Sequence, residues 1–152
     1  HLLAPGERLV ADRVPGEPKD PGPEVLALLG ARSADQVRYR HVRLRCGAHV
    51  LSDADNWYRP DRLSRDMNRV LEHTDTPFGV AVRETRFTRR TIRAELLFQP
   101  LPLGWETGSP PDGDVQVPWS VIRHRAVLTT RAGKPFSVVE ETYTAEVLAT
   151  AP

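Results

Sequence analysis

Apolar residues recur along this chain with two different periods, and the changes of period mark its elements. In residues 61–72, Leu63, Met67, Val70 and Leu71 stand at i, i+4, i+7 and i+8, which is one face of an amphipathic helix. Residues 36–45 alternate instead, with Val42 and Leu44 sharing one strand face with Arg40. A second β-rich run over residues 49–57 follows directly across Gly47-Ala48, so the pair reads as a hairpin. Residues 85–98 predict a long strand, and residues 117–130 and 136–148 predict a second hairpin around Ala132-Gly133-Lys134-Pro135. A short helix is expected over residues 24–29, with Pro23 suited to its first turn and Gly30 to its end. Pro77-Phe78-Gly79 breaks the chain after the longer helix. Strands outnumber helices, and hairpins rather than crossovers join them. The expected class is α+β, an antiparallel sheet flanked by a few helices, without internal repeats.

Proline refines the domain plan. Five of the 14 prolines fall in residues 1–23 together with Gly6, Gly16 and Gly22, which predicts an extended arm outside the core. Residues 24–152 then form a single domain. Residues 100–118 hold five more prolines and three glycines. A connection that long is either a flap over a site or a plain mobile loop.

Composition removes several classes of function. With 152 residues, 39% hydrophobic and 27% charged, the chain is long enough for a sizeable core and reads as globular. No apolar run approaches the roughly 18 residues of a membrane span. Leu2 to Ala4 is too short for a secretory h-region, so a cytoplasmic protein is the default expectation, and a monomer is expected. The chain starts at His1 rather than Met, as a fragment or a tagged protein would. A net charge of +1 argues against nucleic acid as a partner, and no membrane partner is expected. The single cysteine, Cys46, supports neither an internal disulfide nor a cysteine zinc site.

Candidate chemistry is sparse. His1, His41, His49, His73 and His124 show no ligand spacing, so no metal and no cofactor is expected. No G-x-S-x-G, phosphate loop or G-x-G-x-x-G occurs, and Cys46 reads as a small buried thiol. Nineteen of the 21 basic residues are arginine. Period two divides those of residues 85–98 into Arg86/Arg90 and Arg89/Arg93, which read as a solvated, ion-paired strand face. Arg40 differs, because it shares the inward face of Val42 and Leu44. A buried guanidinium needs an acidic partner, here Glu140 or Glu141, or an anionic ligand. Alternation also sends one of Glu140 and Glu141 inward, where desolvation suits a carboxyl to general-acid work or to answering a buried arginine.

Several segments recur in the order of a known family. Thr76-Pro77-Phe78-Gly79 after an amphipathic helix, Phe87-Thr88-Arg89 opening a strand, and Ala132-Gly133-Lys134-Pro135 leading to a strand glutamate resemble the chorismate pyruvate-lyases. The wider superfamily includes the effector-binding (UTRA) domains of GntR-type regulators. Leu51-Ser52-Asp53-Ala54-Asp55-Asn56-Trp57-Tyr58-Arg59-Pro60 looks more like an uncharacterised bacterial branch than the lyases themselves. The resemblance spans residues 36–148 and implies a six-stranded antiparallel sheet with helices on one side and an internal, flap-covered cavity. It also implies a carboxylate anchor at Arg40, backbone amides at Phe78 and Gly79 on the same carboxylate, and a proton donor near the ring oxygen. That donor is Glu141 if Tyr143 matches the family's aromatic, or Glu140 if the Gly133-Lys134-Pro135 turn is counted without a gap. The family uses no metal or cofactor. About two extra residues near Asp53-Ala54-Asp55-Asn56, and the distinct loop of residues 100–118, depart from the lyase pattern.

Two functions follow as expectations. One is a lyase releasing pyruvate from chorismate, to give 4-hydroxybenzoate, or acting on a related aromatic-acid precursor. Its inward Arg40 anchors the dianion and Glu141 or Glu140 supplies the proton. The alternative is a non-catalytic module that binds a small carboxylate, like a UTRA domain.

Overall fold

The computed structural model describes residues 8–99, 104, 107, 108 and 115–148. Six strands form one sheet: β1 (Leu9–Arg13), β2 (Arg38–Cys46), β3 (His49–Tyr58), β4 (Thr88–Leu96), β5 (Ser120–Thr129) and β6 (Pro135–Thr144). Their spatial order is β1-β2-β3-β6-β5-β4, and every neighbouring pair is antiparallel. This is the α+β class that the periodicity predicts. Both expected hairpins form, and each turn has a glycine in the left-handed region, Gly47 at φ 56° and Gly133 at φ 77°. Glycine reaches that region at no steric cost, which is why it stands at these two turns.

Three helices cover the sheet: α1 (Gly22–Leu29), α2 (Arg65–His73) and α3 (Phe78–Ala81). The helix expected over residues 61–72 begins later. Residues Pro60–Arg62 form a 3-10 turn, and Ser64 caps α2 by accepting from the Met67 amide at 3.2 Å. Pro77 does not merely break the chain, because the four residues after it wind into α3.

The helices lie on both faces, not on one as the resemblance implies. Val25 and Leu29 of α1 cluster with Trp57, Val127 and Val138 on one face. Leu71 of α2, Phe78 of α3 and Val82 cluster with Val42, Ala54, Tyr58, Ala126, Leu128, Phe136 and Val139 on the other. Covered on both sides, central β3 is buried continuously over its last five residues.

One expectation is corrected outright. Part of the N-terminal arm is β1, which pairs with β2 from Leu9↔Cys46 to Arg13↔Val42 and buries Ala11 completely. The edge of β2 carries unpaired amides and carbonyls, and Leu9–Arg13 holds no proline to prevent pairing with it. Beyond β1 the chain is extended. It is held where the Trp57 indole donates to the Lys19 carbonyl at 3.0 Å and where Lys19 Nζ meets Asp55 at 2.5 Å. The flap expectation falls on residues 100–118, most of which lie outside the described residues.

If β1 belongs to the core, Ala11→Asp buries an unpaired carboxylate and lowers unfolding free energy by about 3 kcal/mol or more. Urea denaturation reads this directly. A loss below about 0.5 kcal/mol, the size of an ordinary surface change, would show that β1 is dispensable.

Candidate functional site

A cavity of about 310 Å³ lies between the sheet and α3. Every strand supplies part of its wall: Leu9, Val42 and Leu44, Ala54 and Asn56, Arg89, Leu128, and Val139 and Glu141. Pro77, Phe78, Gly79 and Val80 close the helical side. Small side chains at Ala54 and Gly79 leave the space that larger ones would fill. The lining is mainly apolar, with Asn56, Arg89 and Glu141 as its polar side chains.

Register decides between the two glutamates. Glu141 pairs with Ala54 on β3 and shares the face of Val139 and Tyr143, so it enters the cavity. Glu140 pairs with Asp55 and points to the opposite face, where its Oε2 takes Arg125 Nη2 at 2.5 Å. Glu141 is well partnered. Ser52 Oγ donates to Oε1 at 2.7 Å, Tyr143 OH donates to Oε2 at 2.9 Å, and Arg89 Nη2 stands 3.6 Å from Oε2. Burial, and then the negative charge of Glu141, push the Tyr143 hydroxyl up to about 12.

Arg89 was the residue that alternation misplaced. Period two pairs it with Arg93 on one solvated face, yet a bulge intervenes: Thr91 opposes Ala126 and Arg93 opposes the adjacent Arg125. Ile92 is the extra residue, and it reverses the parity of everything beyond it. Arg89 therefore faces Glu141 while Arg93 joins Glu95, Arg123, Arg125 and Glu140 on the other side. Asn56 also escaped notice in the sequence. It is 3% exposed, and its amide enters no hydrogen bond among the described residues, so it is open to a ligand.

The turn supplies two further donors. Val80 and Ala81 amides both donate to the Pro77 carbonyl at 3.0 Å, whereas the Phe78 and Gly79 amides make no hydrogen bond among the described residues. First-turn amides have no intrahelical acceptor, which leaves these two available.

Arg40 is buried, at 4% exposure, as expected, but it does not anchor this cavity. It forms no ion pair with Glu140 or Glu141. Its Nη2 instead donates to the carbonyls of Thr74 at 3.1 Å and Thr76 at 3.0 Å, and its side chain lines a second hollow with Arg13, Arg38, Tyr58 and Glu72. The connection between α2 and α3 crosses in front of it. Arg40 thus holds the segment that leads into the cavity-lining residues Pro77 to Val80. Among the described residues, no group of three or more His, Cys, Asp and Glu side chains is placed to hold a metal ion. No described helix is long and apolar enough to cross a membrane.

Comparison with known proteins places the fold. No family model matches the chain. An uncharacterised protein of Sinorhizobium fredii, y4mC, is 44% identical over 153 residues, covering 97% of this chain and 65% of its own length. The chain therefore spans less than two thirds of that relative. Among solved structures, the effector domain of PhnF from Mycobacterium smegmatis superposes with a TM-score of 0.59 at 12% identity, covering 93% of this chain and 83% of that one. The C-terminal domain of the histidine utilization repressor from Pseudomonas syringae gives 0.58 at 12% identity, with coverage of 95% and 97%. The ligand-binding domain of a Bordetella bronchiseptica protein assigned to the GntR regulators gives 0.57 at 13% identity, with coverage of 92% and 85%. The fold is that of GntR-type effector domains, in line with the UTRA side of the resemblance. These likenesses establish architecture and not lyase activity.

Tyr143 offers a check on the site geometry. Its hydroxyl, held above the ordinary value of 10, keeps its proton in the folded state after the unfolded chain has lost it. The stability this contributes is complete below pH 10 and disappears as pH rises from 10 to about 12. Ultraviolet titration of the folded protein should show a tyrosinate component near pH 12 that Tyr143→Phe removes. A Tyr143 component near pH 10 would contradict the contact with Glu141.

Proposed function

We propose that this domain is a ligand-binding module that holds a small organic acid in the cavity beneath α3. The observation that carries the reading is a cavity walled by all six strands, apolar except for a few polar groups. Such a lining suits a molecule with a hydrocarbon body and a polar end. Arg89 and the amides of Phe78 and Gly79 receive the carboxylate. Asn56 and Glu141 hydrogen-bond the ligand's remaining polar group, and Val42, Leu44, Leu128 and Val139 enclose its carbon skeleton. Arg40 is a positioning residue here, because it ties down the turn that presents the amides. Glu140, ion-paired on the opposite face, takes no part.

The architectural likeness to effector domains supports binding over catalysis. So does the state of Glu141. A lyase asks this carboxyl to deliver a proton, but both its oxygens already accept hydrogen bonds, from Ser52 and Tyr143. A group so placed orients a ligand better than it protonates one.

Thermal-shift screening with aromatic and aliphatic carboxylates, followed by calorimetry on the hits, tests the proposal. Arg89→Gln removes a charge-assisted hydrogen bond and should weaken a hit about tenfold. Val139→Trp fills the cavity and should abolish binding while the protein stays folded. Chorismate incubated with the protein should release no pyruvate above the blank. Catalytic pyruvate release lost in Glu141→Gln would establish the lyase instead.

A further inference from the structure

The second hollow, about 280 Å³, forms because β1 is five residues long and β2 is nine. Past Arg13 the chain leaves the sheet, and the first residues of β2 project beyond it. Arg13, Arg38, Tyr39, Arg40 and Tyr58 line the exposed space, with Leu71 and Glu72 from the end of α2. Three guanidinium groups meet here with one carboxylate on the wall. None of the three forms a salt bridge among the described residues. Arg13 donates to the backbone carbonyl of Glu72, Arg40 donates to the carbonyls of Thr74 and Thr76, and the Arg38 side chain makes no hydrogen bond among the described residues.

The hollow differs in this from the other arginine cluster of the fold. On the opposite face Arg123 meets Glu95 at 3.7 Å, and Arg125 meets Glu24 and Glu140, both at 2.5 Å, so those charges are answered internally. At Arg40 no carboxylate among the described residues comes within ion-pair distance, and of the carboxylates only the more distant Asp75 favours the cation. Arg40 Nε and Nη1 are buried with no hydrogen-bond partner. A buried cation with unpaired donors is costly unless something outside the chain supplies the acceptors. The Tyr58 hydroxyl reinforces the point, since Tyr58 is 2% exposed and its hydroxyl enters no hydrogen bond among the described residues. Burial, and then the negative charge of Glu72, raise its pKa, and the positive potential of Arg40, Arg38 and Arg13 works against that rise. All three cations, together with the Glu72 carboxylate on the wall, thus bear on one hydroxyl.

We propose that this hollow is an oxyanion site for a doubly charged phosphoryl group, with Arg40 and Tyr58 at its floor and Arg13 and Arg38 at its rim. A monocarboxylate would balance one guanidinium, whereas a phosphoryl group offers three acceptor oxygens and the charge to answer several. A contiguous groove lined by Arg13, Val14, Pro15, Gly16 and Pro18 continues from Arg40, giving room for the carbon part of an ester. The site stands apart from the cavity beneath α3 and does not depend on the reading given for that cavity.

Inorganic phosphate is the probe, titrated into the whole protein by calorimetry against acetate and chloride at matched ionic strength. We expect one saturable site, with acetate and chloride producing no comparable heat. Arg38→Gln, an exposed change that breaks no described hydrogen bond, should weaken phosphate about tenfold, and Tyr58→Phe should weaken it measurably. Arg89→Gln, in the other cavity, should leave it unchanged. Methyl phosphate separates the two sources of the group: equal affinity assigns the site to free phosphate, and tighter binding assigns it to an ester. Failure to saturate, equal binding of acetate, or loss in Arg89→Gln with retention in Arg38→Gln would each overturn the assignment.

Discussion

Three consecutive carbonyls hold this structure in its working shape. Thr74 and Thr76 accept from Arg40 on β2, and Asp75 between them accepts from the Ala11 amide of β1 at 3.0 Å. The short connection between α2 and α3 is thus clamped to two strands at once. The outer edge of β1 gains a backbone partner and is no longer a fully open edge. Pro77 follows directly, so the clamp also fixes where α3 begins and hence where the Phe78 and Gly79 amides point. Aromatic contacts finish the task. Phe78 meets Tyr58 edge-on at 5.6 Å and stacks on Phe136 at 6.4 Å, and Phe87 meets Phe136 at 6.2 Å. These rings brace α3 above the sheet, and the cavity is the space left where Ala54 offers only a methyl group and Gly79 no side chain.

The clamp makes sense of a residue that pattern alone half explains. Arg40 stands on an inward face because Val42 and Leu44 do, and alternation suffices to see that. What alternation cannot supply is the partner, because the carbonyls lie more than thirty residues on, in a segment whose position depends on tertiary packing. Hairpins and the long amphipathic face were legible for the opposite reason: their contacts are local, and glycine at Gly47 and Gly133 marks the turns. β1 was hidden for a compositional reason. Prolines at 5, 15, 18, 21 and 23 surround Leu9–Arg13 and dominate any window wide enough to average over. The five residues between them contain none, and an open strand edge needs only that many.

Bulges account for two further gaps. Between Leu128 and Thr129 the register shifts so that Leu128 opposes Ser137 and Thr129 opposes Pro135, which leaves Phe136 as the extra residue, and its ring joins the α3-side core. At Ile92 a similar shift turns Arg89 toward the cavity. A bulge leaves no reliable mark in a single sequence, because it is defined by the pairing with a second strand and not by the local pattern. Every side chain beyond it is then assigned to the wrong face by simple alternation.

The bulge at Ile92 also solves an electrostatic problem that β6 creates. Glu140 and Glu141 are adjacent on an inner strand, so one carboxylate must enter each face of a sheet that is covered on both. Each needs cations on its own side. A regular β4 would keep Arg89 and Arg93 together on one face, with Arg90 on the other. With the extra residue, Arg89 comes within 3.6 Å of Glu141 and Arg93 lines the polar hollow of Arg125 and Glu140. The polar end of the cavity is thus tied to sheet irregularity: the inserted residue puts Arg89 and Arg93 on opposite faces, each on the side of one of the two adjacent acids of β6.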